Sequence, residues 1–169
     1  MRLPAFLATT LLAASAAVAA QAAPLGGITS INIIVGPELQ DKAKDYGVRE
    51  FDTLTSRLLH SVERELRKTD SLVDDGGRLD LVIEDAKPNR PTMKQMSATP
   101  GLSFESRGIG GAKVTGVLTT AAGDTVPVSY SWYESDFRNP VASGTWSDAE
   151  TSFDRFARQL VRGEAIASR

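Results

Sequence analysis

Runs of apolar and polar positions divide this chain into a short series of elements. In ITSINIIV (Ile28–Val35), Ile31, Ile33 and Val35 fall on one side of an extended backbone rich in β-branched residues, which predicts a first strand. Gly36-Pro37 ends it, and a polar connection, ELQDKAKDYG, follows. Phe51, Leu54, Leu58, Leu59, Val62 and Leu66 then recur at steps of three and four, one face of a helix from about Glu50 to Lys68. On its wet side Glu63 and Arg67 stand one turn apart. After the turn residues Asp74-Asp75-Gly76-Gly77, RLDLVIEDA (Arg78–Ala86) alternates Leu79, Leu81 and Ile83 with Asp80, Val82 and Glu84, as a half-buried strand does.

Two further strands are predicted over Ala112–Thr120 and Val128–Tyr133, joined as a hairpin through Ala121-Ala122-Gly123-Asp124. Pro127 cannot donate to a ladder, so it belongs at a strand start or on an edge. The last helix carries Ala149, Phe153, Phe156, Leu160 and Val161 on one face. Ser147-Asp148-Ala149-Glu150 reads as its capping box, Arg155, Arg158 and Arg162 complement its C-terminal dipole, and Gly163 stops it. The order β-α-β-β-β-α predicts an α+β fold: one mixed sheet of about four strands with two amphipathic helices on one face.

One stretch has no period. KPNRPTMKQMSATPGLSFE (Lys87–Glu105) holds Pro88, Pro91 and Pro100, and a connection of that length in a small domain is more often a functional loop than a plain linker. Arg90, Met93 and Met96 are its candidate contact residues, since flexible methionines adapt to varied surfaces. The alternative is that the loop folds back and covers a sheet edge.

The amino terminus changes the setting. MRLPAFLATTLLAASAAVAAQA combines Arg2, an alanine- and leucine-rich run and the small-residue ending Ala20-Gln21-Ala22, the three parts of a secretory signal. The apolar run, about 14 residues, is short for a bilayer span. Cleavage is expected after Ala22, leaving residues 23–169 as one periplasmic or secreted domain. The chain has 19 Lys and Arg against 21 Asp and Glu, a net of −2, and loss of Arg2 adds one more negative charge. That balance argues against nucleic acid as a partner. With no cysteine, disulfides, thiol redox chemistry and thiolate metal sites are excluded, and so is a lipid-carrying cysteine.

Familiar chemistry is hard to place on the rest. SRGIGGAKVTGVLTT (Ser106–Thr120) suggests a phosphate loop, but Arg107 and Ala112 stand where a Walker motif needs glycine, and Val114 where it needs a hydroxyl. The dinucleotide fingerprint lacks its third glycine and leads into a strand. These glycines are expected to let the chain turn and pack closely. His60, the single histidine, falls opposite the line of Leu58 and Val62 and faces water. Val141-Ala142-Ser143-Gly144 lacks the glycines of a nucleophile elbow. The acid pairs Asp74/Asp75 and Glu134/Asp136 lie in turns, without calcium-loop spacing. No catalytic, cofactor or metal residue is assigned.

Tyr130, Trp132, Tyr133, Phe137 and Trp146 concentrate near the end. In a strand Tyr130 and Trp132 share one face, where Trp132 and Trp146 would fill the core, and Tyr133 takes the other face as a candidate binding residue. Together PNRPT (Pro88–Thr92), GIGGAKVTG (Gly108–Gly116), SYSWYESD (Ser129–Asp136) and WSDAETSFDRFARQL (Trp146–Leu160) resemble a family of uncharacterised proteobacterial periplasmic proteins, and the layout is similar in outline to small envelope-assembly and accessory domains. The resemblance implies an exported protein and transfers no active-site residue. The expectation is a periplasmic binding or accessory domain that contacts another envelope protein or an extended peptide. The alternative is a carboxylate-based hydrolase acting on a cell-wall sugar, which would need two acids facing across a cleft.

Overall fold

The computed structural model describes residues 26–136 and 144–166. The expected signal segment, Phe137 and the Val141–Ser143 stretch lie outside the described residues. Strand β1 (Ile28–Val35) pairs in parallel with β2 (Gly77–Lys87); β2 pairs antiparallel with β3 (Gly111–Thr119), and β3 antiparallel with β4 (Thr125–Tyr133). Spatial order equals chain order, so β1 and β4 are the two edges. Parallel neighbours cannot be joined by a tight turn, and helix α3 (Arg49–Lys68) lies in the crossover from β1 to β2. Helix α5 (Ser147–Val161) follows the hairpin. This is the α+β arrangement expected: one mixed four-stranded sheet with the two long helices against one face.

That face is set by the periodicity. Leu54, Leu58 and Leu66 from α3, and Phe153, Phe156 and Leu160 from α5, are fully buried with Leu79, Leu81, Ile83 and Val114 of the central strands. Leu59, on the margin of the α3 face, is half-buried, and His60 is exposed. Across the two helices, Asp154 accepts from Ser61 Oγ at 2.6 Å and from Arg64 Nη2 at 2.7 Å. At their N-terminal ends Trp146 Nε1 donates to Glu50 Oε2 at 2.7 Å. The other face of the sheet is open, with Ile34 and Val117 exposed on it.

Several short elements depart from the expectation. The polar connection after β1 contains two helical turns, α1 (Pro37–Gln40) and α2 (Ala43–Tyr46), and buries Leu39 completely. The unpatterned loop contains α4 (Met93–Ala98), which packs beside α2. Here Thr92 Oγ1 accepts from the Gln95 amide at 3.2 Å while Gln95 Oε1 accepts from the Thr92 amide at 3.0 Å, a capping box in the loop. Thr92→Ala is expected to cost about 1 kcal/mol, seen first as faster hydrogen exchange at the Gln95 amide; unchanged exchange there would mean that the cap does not hold α4.

The box expected at Ser147–Glu150 does not form. Trp146 occupies the capping position, so Ser147 is already in the first turn; its hydroxyl accepts from the Gly144 amide at 2.8 Å, and Glu150 instead approaches Arg57 at 3.5 Å. The expected stop does form, with Gly163 at φ 72° and its amide on the Leu160 carbonyl.

Candidate functional site

The two sheet edges differ in how well they are closed. On β1, Ile28 donates to the Ser71 carbonyl and accepts from the Val73 amide, and the Val35 carbonyl accepts from Gln40 Nε2 at 2.7 Å. Both ends of that edge are therefore occupied. On β4, the Glu134 amide donates to the Gly110 carbonyl and, at the hairpin, the Thr120 amide donates to the Asp124 carbonyl. Hydrogen-bonded pairs recur every second residue, so the even-numbered residues of β4 bond β3. Thr125, Pro127, Ser129, Ser131 and Tyr133 turn their backbone groups away from the sheet. Pro127, which has no amide hydrogen, thus sits where none is needed. Among the described residues no backbone bond reaches that outer side.

At one end of this edge lies a polar cluster. The register of β2 against β3 shifts between Ile83 and Asp85, a bulge after which Asp85 stands opposite Lys113 on the open face and Ala86 returns to the core. Lys42, in the link between α1 and α2, donates to Asp85 Oδ1 at 2.5 Å, and the Tyr133 hydroxyl donates to Oδ2 at 2.6 Å. Lys87 Nζ lies 5.1 Å from the centre of the Tyr133 ring. Beside them the Tyr46 ring meets Trp146 edge-on at 5.6 Å.

Electrostatics assign these groups to holding rather than to proton transfer. Burial pushes the Asp85 carboxyl up, but the bonds from Lys42 and Tyr133 and the charges of Lys42 and Lys87 outweigh it and hold the group below its ordinary value. Burial likewise lowers the Lys42 ammonium, and its bond to Asp85 reverses that and raises it. Burial and the bond to Asp85 push the Tyr133 phenol well up. Tyr133 is therefore un-ionised, its hydroxyl committed to Asp85 and its ring half-exposed.

A carboxyl held below its unfolded value stabilises the fold above about pH 4 and loses that contribution as pH falls through the depressed value. Asp85→Asn is expected to cost about 1.5–3 kcal/mol at neutral pH and to flatten the loss of stability below about pH 4. Urea midpoints across a pH series check it; acid limbs of equal slope would show that the cluster contributes nothing.

A second junction fixes the loop start to α5. Buried Asn89 donates from Nδ2 to the Gly144 carbonyl at 2.9 Å and accepts at Oδ1 from the Asp148 amide at 3.1 Å, and its backbone bonds Thr145 and Gly108. Asp148 accepts from the Gly110 amide at 3.0 Å. Burial, with a further push from the charge of Glu134, raises its carboxyl despite that bond. Asn89→Ala strips both side-chain bonds and leaves buried groups unsatisfied, so a loss of about 1–3 kcal/mol is expected in urea unfolding; a loss below about 0.5 kcal/mol would mean water replaces them.

The four contact residues singled out from sequence gather toward this end of the sheet but differ in setting. Tyr133 is half-exposed as described, and Met93 is 71% exposed at the start of α4, with Met96 half-buried. Arg90 is buried at 9% exposure, its Nη1 donating to the Phe104 carbonyl at 2.7 Å and its guanidinium 5.2 Å from the Phe104 ring centre. Trp146 is buried as expected; Trp132 faces the helices but is half-buried, with the Arg155 guanidinium 4.1 Å from its ring centre. No pattern in the sequence points to Lys42 or Lys87, and Asp85 belongs to none of the acid pairs read there.

Among the described residues, hollows of about 260 and 180 Å³ occur at two places. The first, between Gly26–Ile28 and Thr120–Ala122, is lined by a single acid, Asp75; the second, within the loop at Pro88–Pro91 and Ser106–Gly108, has none. Neither offers the paired carboxylates that glycoside hydrolysis needs. No group of three or more metal-ligating side chains occurs among the described residues, and no described helix is long and apolar enough to cross a membrane.

No family model matches the chain, and no curated protein does. Among solved structures, the rare lipoprotein B from Shewanella oneidensis is similar at 11% identity and a TM-score of 0.39, over 81% of this chain and 94% of that one. No residue role is drawn from a likeness of that size.

Proposed function

We propose that this chain is an exported binding module of the cell envelope that takes an extended segment of another protein as an added strand along β4. The carrying observation is the outward-facing backbone of Thr125–Tyr133, unbonded on its open side among the described residues while the β1 edge is occupied at both ends. Main-chain hydrogen bonds supply affinity in such an addition, and alternate side chains supply selection. Tyr133 stands at one end of that edge, its hydroxyl anchored on Asp85. Export rests on the charged start, the apolar run and Ala20-Gln21-Ala22; the mature protein is expected to begin at Ala23, and retention of residues 1–22 on protein purified from its native cell would overturn that part.

A photo-crosslinking residue at Ser129, exposed on the same outward side of β4, tests the strand reading in living cells. Adducts mapped to an extended segment of another envelope protein are expected. Ser131→Pro removes an outward amide without touching the bonds to β3, so it should abolish those adducts at an unchanged urea midpoint. Recovery of the protein itself alone, or of nothing, would overturn the reading.

A further inference from the structure

The β4 edge carries positive charge on both sides although the chain as a whole is acidic. On the open face Lys113 stands opposite Ser131 in the register and is exposed, and Lys87 lies over the Tyr133 ring. On the helix face exposed Arg155 lies over Trp132. None of these three has a carboxylate within 4.0 Å among the described residues. The chain outside the described residues contains no Asp or Glu to supply one.

Two acids near the Ser129–Tyr133 end are otherwise engaged. Asp85 accepts from Lys42 and Tyr133 on its two oxygens, and Glu134 Oε1 accepts from the amides of Ser135 and Asp136 at 2.8 and 2.9 Å. Ser129 and Ser131 are short, so nothing on β4 stands between Lys113 and the open edge. An added strand runs about 4.8 Å beyond β4 and sends successive side chains to opposite faces. Each of its faces therefore meets a cation with no carboxylate within 4.0 Å among the described residues.

Building on the strand reading, we propose that the segment received along Ser129–Tyr133 is acidic, with Asp or Glu on both of its alternating faces. Complementary charge selects this occupant and rejects basic ones. It also disfavours a second copy of this chain, because symmetric pairing of two β4 edges sets Lys113 and Arg155 of one copy near the same cations of the other, a like-charge clash.

The test uses the mature chain and two labelled synthetic peptides, acetyl-Thr-Glu-Glu-Val-Glu-Glu-Thr-amide and its Lys-for-Glu counterpart, with binding read by fluorescence anisotropy. The acidic peptide is expected to bind about tenfold tighter, with the gap shrinking as salt rises. Lys113→Glu with Arg155→Glu should reverse the preference, at a circular dichroism spectrum matching the parent chain. Equal or tighter binding of the lysine peptide overturns the acidic preference; if Ser131→Pro still abolishes binding of both peptides, strand addition itself stands. Binding of neither peptide, or binding indifferent to Ser131→Pro, overturns strand addition and this inference with it. A dimer in sedimentation that Ser131→Pro disperses would assign the edge to a second copy and overturn the acidic occupant.

Discussion

Phe153→Ala is expected to lower the free energy of unfolding by about 3–5 kcal/mol, the largest effect of any single truncation considered. Phe153 is fully buried on α5, in the same cluster as the α3 leucines and the central strands, so removing its ring leaves a cavity that both layers must close on or leave empty. A domain of this size is held by roughly 5–15 kcal/mol, so the loss removes from about a fifth to all of that margin and should lower the unfolding midpoint markedly. Urea unfolding at constant slope measures the loss. His60→Ala, on the wet side of α3, should stay within about 0.5 kcal/mol of the parent. A loss below about 1 kcal/mol at Phe153 would mean that α5 does not pack against the sheet as described.

Phe153 was also among the easiest residues to place from sequence, for the same reason that it matters. In helices of 20 and 15 residues the apolar face returns often enough to mark both the helix and its buried side, as α3 and α5 do. Strands two residues in period mark themselves likewise, and β2 matches the alternation of Leu79, Leu81 and Ile83. Helices α1, α2 and α4 have four, four and six residues; one turn cannot repeat a face, so no period exists to find. What stabilises them is local or tertiary, the Thr92–Gln95 cap for α4 and burial of Leu39 for α1. The same Ser-x-x-Glu spacing misled at α5, because Trp146, tied to Glu50, took the capping position first.

The candidate site was legible in part. The face of Tyr133 follows from strand alternation, and Pro127 allows a strand start or an edge, of which the structure shows the edge, with β4 beginning at Thr125. Asp85 leaves a trace in the sequence: two consecutive polar residues, Glu84 and Asp85, interrupt the alternation before buried Ala86, which is what a bulge does to a strand of period two. Lys42 leaves none. It reaches Asp85 across 43 positions of sequence, and no local pattern encodes a contact set by the way the α1–α2 link folds over the end of the sheet. Arg90 reads as a contact residue of an unpatterned loop, yet it is buried, its guanidinium on the Phe104 carbonyl and beside the Phe104 ring.

The glycines of GIGGAKVTG are where backbone geometry and the site meet, and Gly111→Ala is the second large effect expected. Gly111 starts β3 opposite Tyr133 with φ at 150°. A methyl group added there would lie 2.4 Å from the Trp132 carbonyl oxygen and 2.5 Å from the Tyr133 Cα, both backbone atoms of β4 that no rotamer change can move. Overpacking against backbone and an unfavourable φ each cost about 1–3 kcal/mol. A loss of roughly 2–4 kcal/mol in urea unfolding is expected. The strain falls on the end of the open edge, so it should also pull the Tyr133 hydroxyl away from Asp85. Removal of that acceptor lets the phenol titrate closer to its ordinary value, and ultraviolet titration of the folded variant would record an ionisation at lower pH than in the parent chain. A variant with parental stability and an unchanged tyrosine titration would show that β3 and β4 do not approach as closely at Gly111 as this register requires.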